Sequence, residues 1–407
     1  MAFSSFHIFM CQALAKLWIN IHFSDTSYSM TYPKPQANQQ ATSKMRNSNL
    51  ELYRIICMMM IVAHHYVVNS GLNSLDGPLQ SDFTSGNSLF LTIFGAWGKT
   101  GINCFMMITG YFMCTSQITL RKFVKLMAQI YLYRWILFPI LLLMGYETIS
   151  AKRLFHLAMP IWDLKQNFVS CFIVFWLTIP FLNILVHNLT KRQHELLLLL
   201  LLGCYTLLSS FPDFFISFNY VTWFAIIYFI ATFIRLHPNP IFERQYLWEG
   251  ATIMSLLLAS ISIIFFRVFH GNSFGLGYFF VSDCNKFFSV VIAVCSFLWF
   301  KNINIKYNKI INAFGAGTFG VLLIHANSNA MRTWLWKDTV DVVGHYSLSL
   351  GNLIIFSFGV VFAIFLICNI IDQLRIATLE KWLLKWYDYK STSKERDVHN
   401  RHQSILN

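Results

Sequence analysis

Charge is what this 407-residue chain has least of: Asp, Glu, Lys and Arg together make up 12% of it, where about 25% is usual for soluble proteins. With 56% hydrophobic and 17% aromatic residues beside so little charge, an ordinary soluble domain is excluded. Close cysteine pairs are missing too. None of the nine cysteines shows the spacing of a zinc or redox motif, and Cys57, Cys104, Cys171, Cys204, Cys295 and Cys368 fall inside apolar runs. They read as small hydrophobes rather than a disulfide framework, and no metal site is expected. Walker-type phosphate loops, dinucleotide glycine fingerprints and zinc-protease helices are absent, which excludes an ATP-driven pump within this chain. There is no internal repeat, and no soluble domain fits between the apolar runs. Any chemistry is therefore done by residues in or close to a membrane.

What is there is a series of apolar segments, most near the twenty residues that a bilayer requires. Ten candidate spans lie at 51–68, 89–113, 120–143, 168–186, 195–211, 217–235, 250–269, 277–300, 310–329 and 350–371. Such runs are too continuously apolar for barrel strands and must be helices, so the expected fold is all-α and polytopic. Alternate loops hold 20 Lys and Arg in one set and 6 in the other; the richer set includes both ends of the chain, so both termini are expected to be cytoplasmic. The net charge of +13 needs no nucleic acid, since basic residues flanking spans meet anionic lipid head groups. Residues 1–45 are expected to be a poorly structured or mis-started extension, with Met30 and Met45 as plausible true starts. Ala13-Leu14-Ala15 resembles a signal-peptidase site, but no Lys or Arg precedes its apolar run. Residues 46–380 form the expected membrane domain, and 381–407 a mobile polar tail.

Against that apolar background, the first span stands out because it carries Glu51, Arg54, His64 and His65. A charged side chain near the centre of a bilayer costs roughly 2.5–3.5 kcal/mol on insertion scales, so these residues need a reason. At about 100° per residue, Arg54 and His65 lie within about 20° of one face and Glu51 within about 60° of both, forming one polar stripe in which Arg54 and His65 are about 16 Å apart along the axis. The second polar feature runs from Gly98-Lys99-Thr100-Gly101 through Asn103 to Thr109-Gly110. Its small residues suit close helix packing, and Lys99 can reach an interface with its long stem. The third is Phe314–Asn327, an apolar segment enclosing His325. A lone buried histidine is more often a helix-to-helix tie than a functional group. Arg134 and Lys286 are further intramembrane bases, and Asp283 is expected to neutralise Lys286 from three residues away.

Asn49–Tyr66, with Glu51, Arg54, His64 and His65 in it, resembles the first-helix signature of the acyltransferase 3 family of bacterial integral-membrane acyltransferases. Gly98–Phe105 with Gly110-Tyr111-Phe112 is similar to that family's second-helix motif, and Pro180-Phe181-Leu182-Asn183 to its fourth-helix ending. Thr318–His325 and Asp372-Gln373-Leu374-Arg375 continue the match, which covers roughly 46–380. A subgroup that includes an enterobacterial-antigen O-acetyltransferase shares Asn at the position of Asn103, where many members have Asp. Departures are Thr109 in place of Ser, Leu322 in place of Tyr, and Arg121, Lys122 and distant Arg134 in place of a paired-arginine motif.

The resemblance implies transfer of an acyl group, usually acetyl, from acyl-coenzyme A to a hydroxyl of a surface or exported glycan or lipid-linked sugar at a bacterial inner membrane. It implies His65 as the catalytic base, His64 as second choice, and Glu51 orienting Arg54 at the donor. Lys99, Asn103, Thr109, Arg121, Arg134, His325 and Asn327 are the further candidates for substrate or donor binding. No permanently bound cofactor is implied: acetyl-CoA or another acyl-CoA is a substrate. The bilayer and polysaccharide-assembly proteins are the remaining expected partners. A transporter or flippase would use the same stripe to carry a sugar or solute, and discontinuous helices would favour it.

Overall fold

The computed structural model describes residues 47–165, 167–211, 214, 216–269 and 278–389. The expectations for 1–45, for the alternative starts and for 390–407 lie outside the described residues. Among the described residues the chain is all helical, with no strand.

Helix α1, Ser48–Val68, begins where the Asn47 side chain accepts a hydrogen bond from the Asn49 amide, a cap that leaves Glu51 in the first turn near the positive end of the helix dipole. Next come α2, Gly86–Gly95, and α3, Gly98–Met113. They are followed by α4, Leu120–Leu143, the short amphipathic α5, Ala151–Ala158, and α6, Phe168–Asn188. Then come α7, Lys191–Leu202, α8, Tyr220–Leu236, and α9, Gln245–Phe269. The last are α10, Phe287–Asn302, α11, Lys309–Ala316, α12, Thr318–His325, and α13, Leu350–Arg375.

α1 is the hub of the bundle. It packs against α2, α3, α10, α11, α12 and α13. Its apolar residues Met58, Ile61, Val62, Tyr66 and Val67 are buried in one core with Val321, Leu323, Leu353, Val361 and Phe365. A helix surrounded in this way sees protein on nearly every side, which is how it can carry two histidines and an ion pair in an apolar sequence. By contrast α9 leaves Ile253, Met254, Leu257, Leu258 and Ile261 exposed along one side, as expected of a helix facing hydrocarbon.

Among the described residues, six helices are long and apolar enough to cross a membrane, or seven if one pair bent by 95° counts as a broken span. The remaining expected spans are shorter or interrupted. The expected span 89–113 is two helices, broken at Ala96–Trp97. There α1 comes so close that a Cβ on Gly98 would collide with the His64 ring. The expected span 310–329 is divided at Gly317 between α11 and α12, and the chain then turns by 95° into Asn329–Ser347. In the span expected at 277–300, the described residues become helical at Phe287, with Lys286 as the N-cap residue. Lys286 Nζ consequently donates to the Ser209 carbonyl at the helix entrance, and Asp283 pairs with Lys99 instead, at 3.4 Å. The tail expected to be mobile from 381 continues as helix to Tyr389, through a wide turn at Ile376–Glu380.

Gly98→Ala is expected to push the His64 ring out of place and to lower stability by about 1–3 kcal/mol, the usual penalty of overpacking. Thermal unfolding in detergent checks this.

Candidate active site

Where the C-terminal half of α1 meets α3, α4, α8 and the turn after α12, the bundle encloses a cavity of about 180 Å³. His64, His65, Lys99, Arg134, Tyr220 and Arg332 give it polar walls, and Ile61, Ile102, Ile130 and Leu322 give it apolar ones. Asn327 also lines it, with its side-chain amide donating to the Leu323 carbonyl at 3.0 Å.

The histidines make an ordered chain. His325, 1% exposed, sits at the last position of α12 with Nδ1 2.6 Å from the Val321 carbonyl, one turn back. A carbonyl only accepts, so Nδ1 carries the proton and, in the neutral ring, Nε2 is the acceptor. His65 Nδ1 lies 2.9 Å from that Nε2 and must therefore donate to it. This leaves His65 Nε2 with its lone pair, the tautomer that a base needs. His64 lines the cavity but commits its Nδ1 to the Gly95 carbonyl, donating at 2.7 Å.

Glu51 and Arg54 are not part of this cavity. They pair with each other at 3.2 Å across one turn of α1, at its other end, Arg54 about 16 Å and Glu51 about 21 Å from His65 by helical rise. Buried Met58 and Ile61 lie between them along the helix.

Asn103 is fully buried and spends its amide on the fold. Its nitrogen donates to the Cys284 carbonyl at 2.7 Å and the Ser289 carbonyl at 3.2 Å, while its oxygen accepts from Trp223 Nε1 at 2.8 Å. It thus ties α3 to α8 and to the start of α10. Asn103→Ala would strand these buried groups, and a loss of about 1–3 kcal/mol in unfolding free energy is expected, read as a lower denaturation midpoint. Thr109 bonds back to its own helix at the Phe105 carbonyl, 3.0 Å away. Arg121 forms a two-pronged pair with Asp388, at 2.9 and 3.1 Å, and is half exposed. Of the residues expected from the sequence, the structure brings His64, His65, Lys99, Arg134, His325 and Asn327 together and leaves Glu51, Arg54, Asn103, Thr109 and Arg121 elsewhere.

Two features escaped the sequence reading. Arg332 and Tyr220 line the cavity, Tyr220 accepting from Lys99 Nζ at 2.6 Å; a basic residue seven positions after His325 was the available hint. The other is the role of Asp372 and Arg375, which the sequence marks only as part of the resemblance: they form a buried ionic cluster at the end of α13. Asp372, fully buried, accepts from Tyr133 at 2.7 Å, Gln129 at 3.2 Å and Arg375 Nε at 2.6 Å, and Arg375 also reaches Glu380 at 2.7 Å. Gly320 makes room for it, since any Cβ there would strike the Asp372 carboxylate.

Residues 47–371 match the family model of an acyltransferase domain, that of the acyltransferase 3 family. The chain belongs to this family. Comparison with curated proteins and with solved structures returns no match. Membership establishes acyl transfer as the general activity, and with the apolar helices it makes this acyltransferase 3 protein a membrane protein. The cavity lies within the matched segment, as do both histidines that meet at its wall.

Proposed function

We infer that the protein is an O-acyltransferase of a bacterial inner membrane that moves an acyl group, acetyl in the simplest case, from acyl-CoA to a hydroxyl of a surface or exported glycan or its lipid-linked precursor. The single observation that carries this reading is the chain Val321 carbonyl, His325, His65, ending in a basic nitrogen beside a cavity in an acyltransferase fold.

His65 Nε2 takes the proton of the acceptor hydroxyl as its oxygen attacks the thioester carbonyl. The carbon–sulfur bond then breaks, the acyl oxygen bond remains, and the proton on His65 passes to the departing coenzyme A thiolate. His325 orients the ring and spreads the positive charge that His65 gains in the transition state. Arg54, oriented by Glu51, meets the phosphates of the donor at the other end of α1, since a guanidinium fork suits a phosphate. His64, Lys99, Arg134 and Asn327 meet the acceptor. Asn103 and Thr109 act on substrates through helix placement, and Arg121 acts at the donor end.

The arrangement is completed by ten spans with both termini cytoplasmic and a membrane domain over 46–380. No cofactor stays bound, and no nucleic acid takes part. Polysaccharide-assembly proteins supply or receive the glycan. The broken helices at Ala96–Trp97 and after His325 are the feature expected of a transporter or flippase. Family membership in an acyltransferase group favours transfer over transport.

The test is thioester loss from acetyl-CoA by the protein in nanodiscs with a crude glycan extract. Release of coenzyme A with an alkali-labile ester on the glycan supports the reading. Binding of both substrates without turnover moves transport to the front.

A further inference from the structure

The cavity beside His65 carries more positive charge than its walls neutralise. Lys99, Arg134 and Arg332 line it from three different parts of the chain, and no Asp or Glu lines it among the described residues. Lys99 is partly balanced, by Asp283 at 3.4 Å, a carboxylate whose side chain is 41% exposed and lies outside the cavity lining. The two arginines are not. Arg134 makes no ion pair or hydrogen bond among the described residues; the groups acting on it are Arg153, a cation already paired with Glu147, and the Tyr131 phenol on its own helix, and neither is a carboxylate. Arg332 makes one long bond, from Nη1 to the Asn329 oxygen at 3.3 Å, while its Nε is buried without a partner.

Two guanidinium groups held in an apolar bundle without counter-charges cost several kcal/mol unless something compensates them. An anion in the space between them would compensate both. The cavity, of about 180 Å³, lies among these three cations.

We propose that the acceptor bears an oxyanion, a carboxylate or a phosphate on or next to the sugar that is acylated, and that Arg134 and Arg332, with Lys99, hold this anion beside His65. The proposal rests on the reading of this cavity as the acceptor site. A charge-assisted pair of this kind is worth about 1.5–3 kcal/mol, a preference of about 10- to 100-fold over a neutral sugar. The same clamp fixes which hydroxyl faces His65 Nε2, so it contributes position as well as affinity.

The experiment is equilibrium binding to the full chain in phosphatidylcholine nanodiscs, with glucuronate, glucose 1-phosphate and glucose as probes. Either anionic sugar is expected to bind about tenfold or more tighter than glucose, and the better of the two names the oxyanion. The preference is expected to collapse in Arg332→Gln and Arg134→Gln, to survive in part in Arg332→Lys, and to survive fully in His65→Ala. Equal binding of glucose and the anions overturns the proposal, as does an unchanged preference in both glutamine variants. Competition by coenzyme A that is itself lost in Arg332→Gln also overturns it, because the anion would then belong to the donor. An anion preference without acyl transfer would sink the proposed function and leave this site standing. Transfer to neutral and anionic sugars alike would do the reverse.

Discussion

His65→Ala is expected to lower the rate of acyl transfer by about 10²- to 10⁴-fold, the range over which a positioned general base contributes. Alanine removes the only group whose lone pair is directed by the His325–Val321 chain, while His64 remains committed to the Gly95 carbonyl. The measurement is coenzyme A release at saturating acetyl-CoA, with acceptor binding followed separately. A true base variant loses turnover and keeps acceptor affinity. His325→Gln separates orientation from proton transfer: it keeps a hydrogen-bonding group at this position but no longer fixes the tautomer, so an intermediate loss is expected. Turnover by His65→Ala within a few-fold of wild type would eliminate His65 as the base.

The second large effect is on stability. Asp372→Ala removes the acceptor at the centre of the buried cluster and leaves Tyr133, Gln129 and Arg375 Nε without it. Breaking a buried ion pair from one side costs about 3–5 kcal/mol. The Glu380 contact retained by Arg375 keeps the loss toward the lower figure. Tyr133→Phe deletes one donor from the same carboxylate and should cost about 1 kcal/mol. The comparison is made by chemical or thermal unfolding in detergent. Equal midpoints for the two variants would show that the cluster contributes little to folding. A destabilised but folded Asp372 variant should also lose turnover, since Asp372 packs against Gly320 in the helix that carries His325.

The polar residues of α1 were legible because ionisable residues in an apolar run are costly, and cost is visible in one dimension. Glu51, Arg54, His64 and His65 stand out from their neighbours without any knowledge of what surrounds them. The partner of His65 was legible only as a candidate, since His325 lies 260 residues away and its tie to the Val321 carbonyl is equally what a structural histidine makes. The work of Asn103 could not be read, because its partners lie 120 to 186 residues along the chain and two of them are backbone groups. Breaks in the helices escaped for a different reason. Hydropathy averaged over a span is blind to the contact between Gly98 and His64, which depends on the volume of one missing methyl group. Arg332 escaped because an arginine in an expected loop has an ordinary explanation, and only the turn of 95° after His325 brings it back over the cavity.

α1 carries the Glu51–Arg54 pair near one end and His65 near the other, with unbroken helical hydrogen bonding between them. Such a helix acts as a stiff rod rather than a flexible tether. A displacement of about 1 Å along the line between the two rings would carry His65 Nδ1 from 2.9 Å beyond hydrogen-bond range of His325. The Glu51–Arg54 pair and the His65–His325 contact thus share one rigid frame, and any shift of α1 along its axis moves both ends together.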